Sequence, residues 1–270
     1  MTRTGSDRWF FLGMALLGGS YIVLIVALLV ADVLYTSPGE IRETLDDRHI
    51  RFAIRLSVLS ASVTTILAMW VAIPLGYLLA RSRFWGKGIV ETLLDVPLVL
   101  PPLVIGLSLL ILFQMPAGQA VEKLLPVTYH VPAVILAQFT VVTAFAVRTM
   151  RVAFDQIDSR TERVALTLGC SRAGAFWRVT LPAARRGVLS AATLAWARAI
   201  GEFGPVQLFA GATPMKTVVL PTAIFFEAQL GRLSAAVAIS LVMVAVALLA
   251  LVLARTLGLM HGSERGAHAF

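Results

Sequence analysis

Charge is scarce in this sequence. Only 14% of its 270 residues are Asp, Glu, Lys or Arg, while 58% are hydrophobic. A mean hydropathy of +0.85 excludes an ordinary soluble domain, whose surface leaves too many residues in water for so much apolar area to be hidden. Cysteine is nearly absent: Cys170 stands alone, which excludes an intramolecular disulfide and any zinc or iron–sulfur spacing. Histidine is almost as rare, and His49, His130, His261 and His268 lie too far apart in sequence for a metal motif. They read as loop and tail residues, and no metal site is expected. Acidic residues number 15 against 23 basic ones, a net charge of +8. A nucleic-acid protein would gather such charge on one solvated face, whereas here it is spread between apolar runs, so no nucleic-acid partner is expected.

Enzyme signatures are missing as well. There is no Gly-x-x-x-x-Gly-Lys-Ser/Thr loop, no nucleophile elbow and no His-Glu-x-x-His pattern. Gly86-Lys87-Gly88 is a basic turn, not a phosphate loop. No catalytic residue and no cofactor are therefore expected in this chain.

What the sequence does contain is apolar length. A membrane-spanning helix needs roughly 20 apolar residues to cross about 30 Å of hydrocarbon. The runs near 9–31, 52–80, 90–113, 132–150, 187–210 and 233–254 meet that need and predict an all-α integral membrane protein of six spans in one unit, residues 1–270. The first run, Trp9 to Ala31, is too long for a signal-peptide core, so it is expected to stay as an uncleaved helix. The stretch from Asp32 to about Arg51 reads as polar, with a turn at Pro38-Gly39. Pro74 and Gly76 should bend the second span. Pro97, Pro101 and Pro102 mark the third as broken or kinked, which suits a helix lining a pathway. The fifth is interrupted at Gly201–Pro205.

Orientation follows from the basic residues. The termini and the segments 81–87 and 148–186 carry 15 lysines and arginines, and the opposite segments carry seven. The opposite side also holds Asp32, Glu40, Glu43, Asp46, Asp47, Glu122 and Glu227. By the positive-inside rule both termini face the cytoplasm, as an even number of spans requires.

The segment 151–186 is more apolar than a solvated loop needs, at Val164, Leu168, Phe176, Trp177 and Val179. It reads as a short helix ended by Gly169 in a left-handed cap, then a second helix capped by Ser171 and ending at Pro182. An apolar elbow rimmed by arginines would fit a partner's groove, and it would equally suit an interfacial helix lying on anionic lipid. Arg198 and Glu202, four residues apart on an apolar helix, can meet on one face; such charges face protein or water. They are either an ion pair bracing the broken span or part of a pathway gate. Arg51 and Arg55 at the outer end of the second span read as snorkelling side chains, or as attractants for an anion.

The run Glu162-Arg163-Val164-Ala165-Leu166-Thr167-Leu168-Gly169, nine residues, then Val179-Thr180-Leu181-Pro182 resembles the EAA loop of ABC importer permeases. Arg163 and Val164 depart from the commonest form, and Glu162 one residue earlier is similar to the molybdate and sulfate branch. Asp95 to Gly106 resembles the third-span signature of that branch, and Trp196 to Gly204 its fifth. The resemblance covers about residues 50–255 and implies a type I importer permease with six spans. It implies that Glu162, Arg163, Ala165, Leu168, Gly169, Leu181 and Pro182 couple to an ATPase, and that Pro97, Pro101, Pro102, Gly106, Arg198, Glu202, Phe203 and Gly204 border the pathway. The implied partners are two ABC ATPase subunits, which bind the ATP, a periplasmic substrate-binding protein, membrane lipid, and a second copy of the chain or a sister permease. The implied cargo is molybdate or tungstate, with sulfate, thiosulfate or another solute as the alternative. A stand-alone secondary carrier would need an ion relay and internal repeats, and an intramembrane enzyme a catalytic constellation. Neither is visible.

Overall fold

In the computed structural model, which describes residues 5–260, every element is helical. The first, α1 (Gly5–Tyr35), is apolar on all sides and none of its spanning window is covered by the rest of the chain. It packs on the last helix alone among its stronger partners. Where a polar turn was expected, the chain forms α2 (Pro38–Asp46). Its start is a capping box: the Glu40 amide donates to Ser37 Oγ at 3.2 Å, and the Ser37 amide donates to Glu40 Oε2 at 2.9 Å. Pro38 occupies the first turn, where its missing N–H costs nothing.

The next helix, α3 (Arg48–Arg81), is 34 residues long, with Asp47 capping its first turn. It continues through Pro74 as one helix. Ala53, Ala61, Ala68 and Ala72 are fully buried along it, and small residues of this kind let two backbones approach closely in a membrane. The partner is the helix α7 (Val131–Asp155). A Cβ added at Gly76 would stand 2.8 Å from Met150 Cβ of that helix, so the close approach requires glycine there.

Two prolines break the third apolar run. Helices α4 (Lys87–Val99) and α5 (Pro102–Gln114) meet at a bend of 110°. Leu100 precedes Pro101, and Pro101 precedes Pro102; both take extended ψ values, 140° and 134°, as the ring of a following proline demands. Pro97, by contrast, is accommodated inside α4. Another expected loop contains α6 (Pro116–Leu124), and α7 (Val131–Asp155) follows.

The cytoplasm-assigned segment folds into α8 (Ser159–Thr167), α9 (Arg172–Ala175), a π turn over Phe176–Thr180 and α10 (Leu181–Ala183), continuing into α11 (Arg185–Ile200). The second helix ends at Ala183, one residue past Pro182, and a turn at Ala184 leads into α11. Pro182 stands in the first turn of α10, just after the π turn, where a proline's missing N–H is tolerated. The chain closes with α12 (Gly204–Phe209), α13 (Leu220–Gln229) and α14 (Leu233–Met260).

Four uninterrupted helices, 9–35, 48–81, 131–155 and 233–252, have the length and apolarity to cross a bilayer, and the bent pair α4–α5 makes a fifth candidate. The expected span 187–210 is not a single helix: α11 has 16 residues, α12 has six, and Gly201–Phe203 lies between them. Six continuous spans are thus not observed. The core is the α3–α7–α11 seam, built on Met150, Phe154, Ala191, Ala195 and Ile200.

Candidate coupling elbow and pathway break

Gly169 ends α8 with φ +89°, a backbone region glycine enters without a Cβ penalty. The Cys170 amide donates to the Ala165 carbonyl at 3.0 Å and the Gly169 amide to the Leu166 carbonyl at 3.1 Å. This is the Schellman arrangement, which satisfies two carbonyls at the helix end. The Ser171 hydroxyl then caps α9 by accepting from the Gly174 amide at 3.1 Å. Both expected caps are present. Ala165 is buried under the elbow, while Val164 and Leu168, at 56% and 80% exposure, leave an apolar tip without cover.

Glu162 does not sit at that tip. Its carboxylate turns inward, where it accepts from the Tyr77 hydroxyl and from Thr180 Oγ1 at 3.2 Å, and it lies 3.7 Å from Arg81 Nε. Arg81 also donates to the Ile157 carbonyl at 2.7 Å. The elbow is therefore tied to the inner end of α3 and to the π turn through one carboxylate. Tyr77 went unnoticed in the sequence, and Arg81 and Thr180 were read only within the basic turn and the loop motif, because 85 residues separate Tyr77 from Glu162 and no local spacing reveals such a pairing. Arg163 reaches only Ser159 on its own helix, at 3.4 Å. Leu181 packs partly buried against the core seam, and Pro182 is exposed.

The second constellation joins the two broken spans. A Cβ on Gly106 would stand 2.8 Å from Pro205 Cα, and a Cβ on Gly204 2.8 Å from Pro102 Cβ. Each break thus presents a proline to the other's glycine, so α5 and α12 meet at backbone contact. Pro101 and Pro102 shape the first break directly, whereas Pro97 stands a helical turn before it. Phe203 lies in the second break, its ring 5.1 Å from that of Phe225. Beside it the Glu202 carboxylate, 2% exposed, is 2.5 Å from Arg198 Nη1. Gln138, missed in the sequence, holds the same place. Its amide accepts from Thr64 Oγ1 at 3.0 Å and donates to the Ala199 carbonyl at 3.1 Å. That carbonyl also accepts the Glu202 amide at 3.2 Å.

Of the remaining positions, Arg51 donates to the Asp46 carbonyl at 3.0 Å, and Arg55 is exposed on α3. No cluster of three or more His, Cys, Asp or Glu side chains occurs among the described residues, and His261 and His268 lie outside them.

Apolar helices of spanning length, two jointed segments whose breaks meet, and an apolar elbow at one end define a polytopic membrane protein. Residues 72–258 match the family described as binding-protein-dependent transport system inner membrane component, and the chain belongs to that family. It is 35% identical over 259 residues to a probable molybdenum ABC transporter permease protein of Haloferax volcanii, covering 96% of this chain and 94% of that one. It is 32% identical over 209 residues to the molybdate/tungstate transport system permease protein WtpB of Pyrococcus abyssi, covering 76% and 79%. The fold matches a chain of a bacterial ABC transporter involved in the import of the acidic polysaccharide alginate, with a TM-score of 0.75, 94% and 96% coverage and 16% identity. At that identity the likeness speaks for the fold alone.

Proposed function

We propose that this chain is the membrane subunit of an ATP-driven importer for a tetrahedral oxyanion, molybdate or tungstate, acting by alternating access. The curated relatives carry the substrate assignment, since their names specify molybdenum or molybdate and tungstate. Six membrane passes, counting each broken pair as one, would place both termini and the elbow in the cytoplasm, consistent with the basic residues around the elbow. Two copies would form the pathway, closed two-fold pairing being the commonest arrangement. Two partner ATPase subunits would bind the ATP, and an external binding protein would deliver the anion.

The observation that carries the coupling role is the uncovered apolar tip at Val164 and Leu168, on an elbow tied by Glu162 to α3 and to Thr180. A partner cleft closing on that tip would push on α3 and, through the π turn, on α11. The α11 end is where Gln138 and Arg198 hold the break. Leu181 and Pro182 would set the angle at which the elbow joins α11, and Arg163 would line the elbow's inner face beside Ser159.

The test is substrate-stimulated ATP hydrolysis of the full transporter with its binding protein. A bulky residue at Gly169 has open space around it but must adopt φ +89°, which costs about 1–2 kcal/mol at one residue. That variant should reach the membrane and lose molybdate-stimulated hydrolysis. Normal coupling would sink the elbow assignment, and stimulation by sulfate but not by molybdate would sink the cargo assignment.

A further inference from the structure

Behind the elbow tip lies a groove of about 640 Å³, between the inner end of α3 and the elbow. Helix α8 has two working faces. Ser159, Glu162, Arg163 and Leu166 recur at helical spacing along the groove, whereas Val164 and Leu168 point away from it. A partner gripping the tip would leave this inner face unused. The lining is graded. Pro74 and Leu78, on the membrane side, are apolar, and Leu78 is exposed; Trp177 stands exposed at the margin. At the elbow side the groove is cationic: Arg81 is held by Glu162 and the Ile157 carbonyl, while Arg172 is exposed and in no salt bridge among the described residues. Trp177 at the groove margin is exposed, as is Trp85 in the turn just past the end of α3, and exposed tryptophans of this kind favour the zone where headgroups meet hydrocarbon.

An apolar wall toward the bilayer and an available guanidinium at the headgroup level match one kind of molecule, an anionic phospholipid. We propose that the groove seats such a lipid, its phosphate against Arg172 and its acyl chains along Leu78 and Pro74, and that the seated lipid braces the elbow against α3. Arginine suits this role because its planar fork meets phosphate oxygens two at a time. The proposal rests on the elbow facing the cytoplasm, as read above, but not on the elbow's tip being the ATPase contact.

The experiment uses the assembled permease–ATPase complex, exchanged into nanodiscs of phosphatidylcholine with titrated phosphatidylglycerol and read by native mass spectrometry. Wild type should retain phosphatidylglycerol over phosphatidylcholine. Arg172→Glu should weaken retention about fivefold or more, the change that about 1 kcal/mol per surface cation produces, and Arg172→Lys should keep most of it. If the Glu variant does not assemble, Arg172→Gln gives the same reading. Equal retention by wild type and the charge-removed variant would overturn the proposal. So would competition by soluble glycerol phosphate at matched concentration, which would make the groove a free-phosphate seat. Retention only after the ATPase is stripped would also overturn it, since a partner side chain would then fill the groove. Val164→Asp, assayed for ATPase stimulation alongside, tells the two readings apart. Unchanged coupling in that variant would count against the tip, and the Arg172 result would still decide the lipid.

Discussion

Gly204 faces Pro102 so closely that a methyl group on the glycine would stand 2.8 Å from the proline's Cβ and 3.1 Å from the Leu103 amide nitrogen. Gly106 and Pro205 repeat the relationship, with backbone as the obstacle. Backbone cannot swing aside as a flexible side chain does, so α5 and α12 must separate to accept any Cβ. Gly106→Val is expected to cost about 1–3 kcal/mol, the usual range for overpacking. Gly204→Val should behave alike. Thermal melting of the purified chain checks the stability, and anion uptake in vesicles should fall in both variants. Melting temperatures equal to wild type would mean that the two breaks do not hold each other.

Glu162 gathers Tyr77, Thr180 and Arg81 around one carboxylate whose side chain is largely covered. Replacing it with Gln keeps the size but removes the charge that Arg81 faces. Charge-assisted bonds contribute about 1.5–3 kcal/mol each, so the elbow should loosen locally while the spans stay folded. The expected reading is faster hydrogen exchange across 157–183, with little change in α7. ATP hydrolysis should persist in the assembled transporter and lose its response to substrate.

How much of this was legible beforehand differs between the two constellations. Gly169 and Ser171 announced their caps, because capping is a local matter of one residue's backbone or hydroxyl. Pro101 and Pro102 likewise announced a break, though not its angle. The helix at Pro38–Asp46 carried its capping box in plain view, Ser37 and Glu40 three apart, but Pro38-Gly39 reads first as a turn. Pro182 marked the end of the second helix to within one residue, whereas nothing in the sequence marks the π turn over Phe176–Thr180. Glu162 reads from the motif as part of the coupling loop, but its ties to Tyr77 and Arg81 of α3 and to Thr180 of the π turn are not written in any local spacing. Gln138 could not be found at all, since an amide on an apolar helix gives no hint of which carbonyl it will meet. Long-range pairing is what one sequence withholds.

Glu122 supplies a pH dependence outside the spans. Thr128 Oγ1 donates to its carboxylate, as do the Val127 amide at 2.9 Å and the Thr128 amide at 2.6 Å, with His130 nearby. The Thr128 hydroxyl bond is the largest cause, and together these hold the carboxyl below the usual range. A group depressed on folding stabilises the folded state above its unfolded value, and that contribution is lost as pH falls through the folded value. The 122–130 loop should therefore be tight at neutral pH and loosen only in acid. Exchange at the Val127 and Thr128 amides, followed by NMR or mass spectrometry, reads this directly. Glu122→Gln should be loose throughout and lose the acid transition.

Arg198 and Glu202 can be a brace or a gate, and stability separates the two. Glu202 is almost fully buried, so Arg198→Ala strands its carboxylate; breaking such a pair costs about 3–5 kcal/mol when both ends are buried. Here the Arg198 side chain is 40% exposed, and screening at that end brings the expected loss toward the lower bound. Removing both charges at once, as Arg198→Leu with Glu202→Leu, deletes the stranded group along with its partner. The double variant should recover most of the melting temperature lost in Arg198→Ala. If the pair only braces the fifth span, anion uptake should recover with it. If the pair gates the pathway, the stable double variant should still fail to transport, because the charge that must open and re-form with each cycle is gone. A double variant as unstable as the single one would instead place the cost in packing rather than in charge.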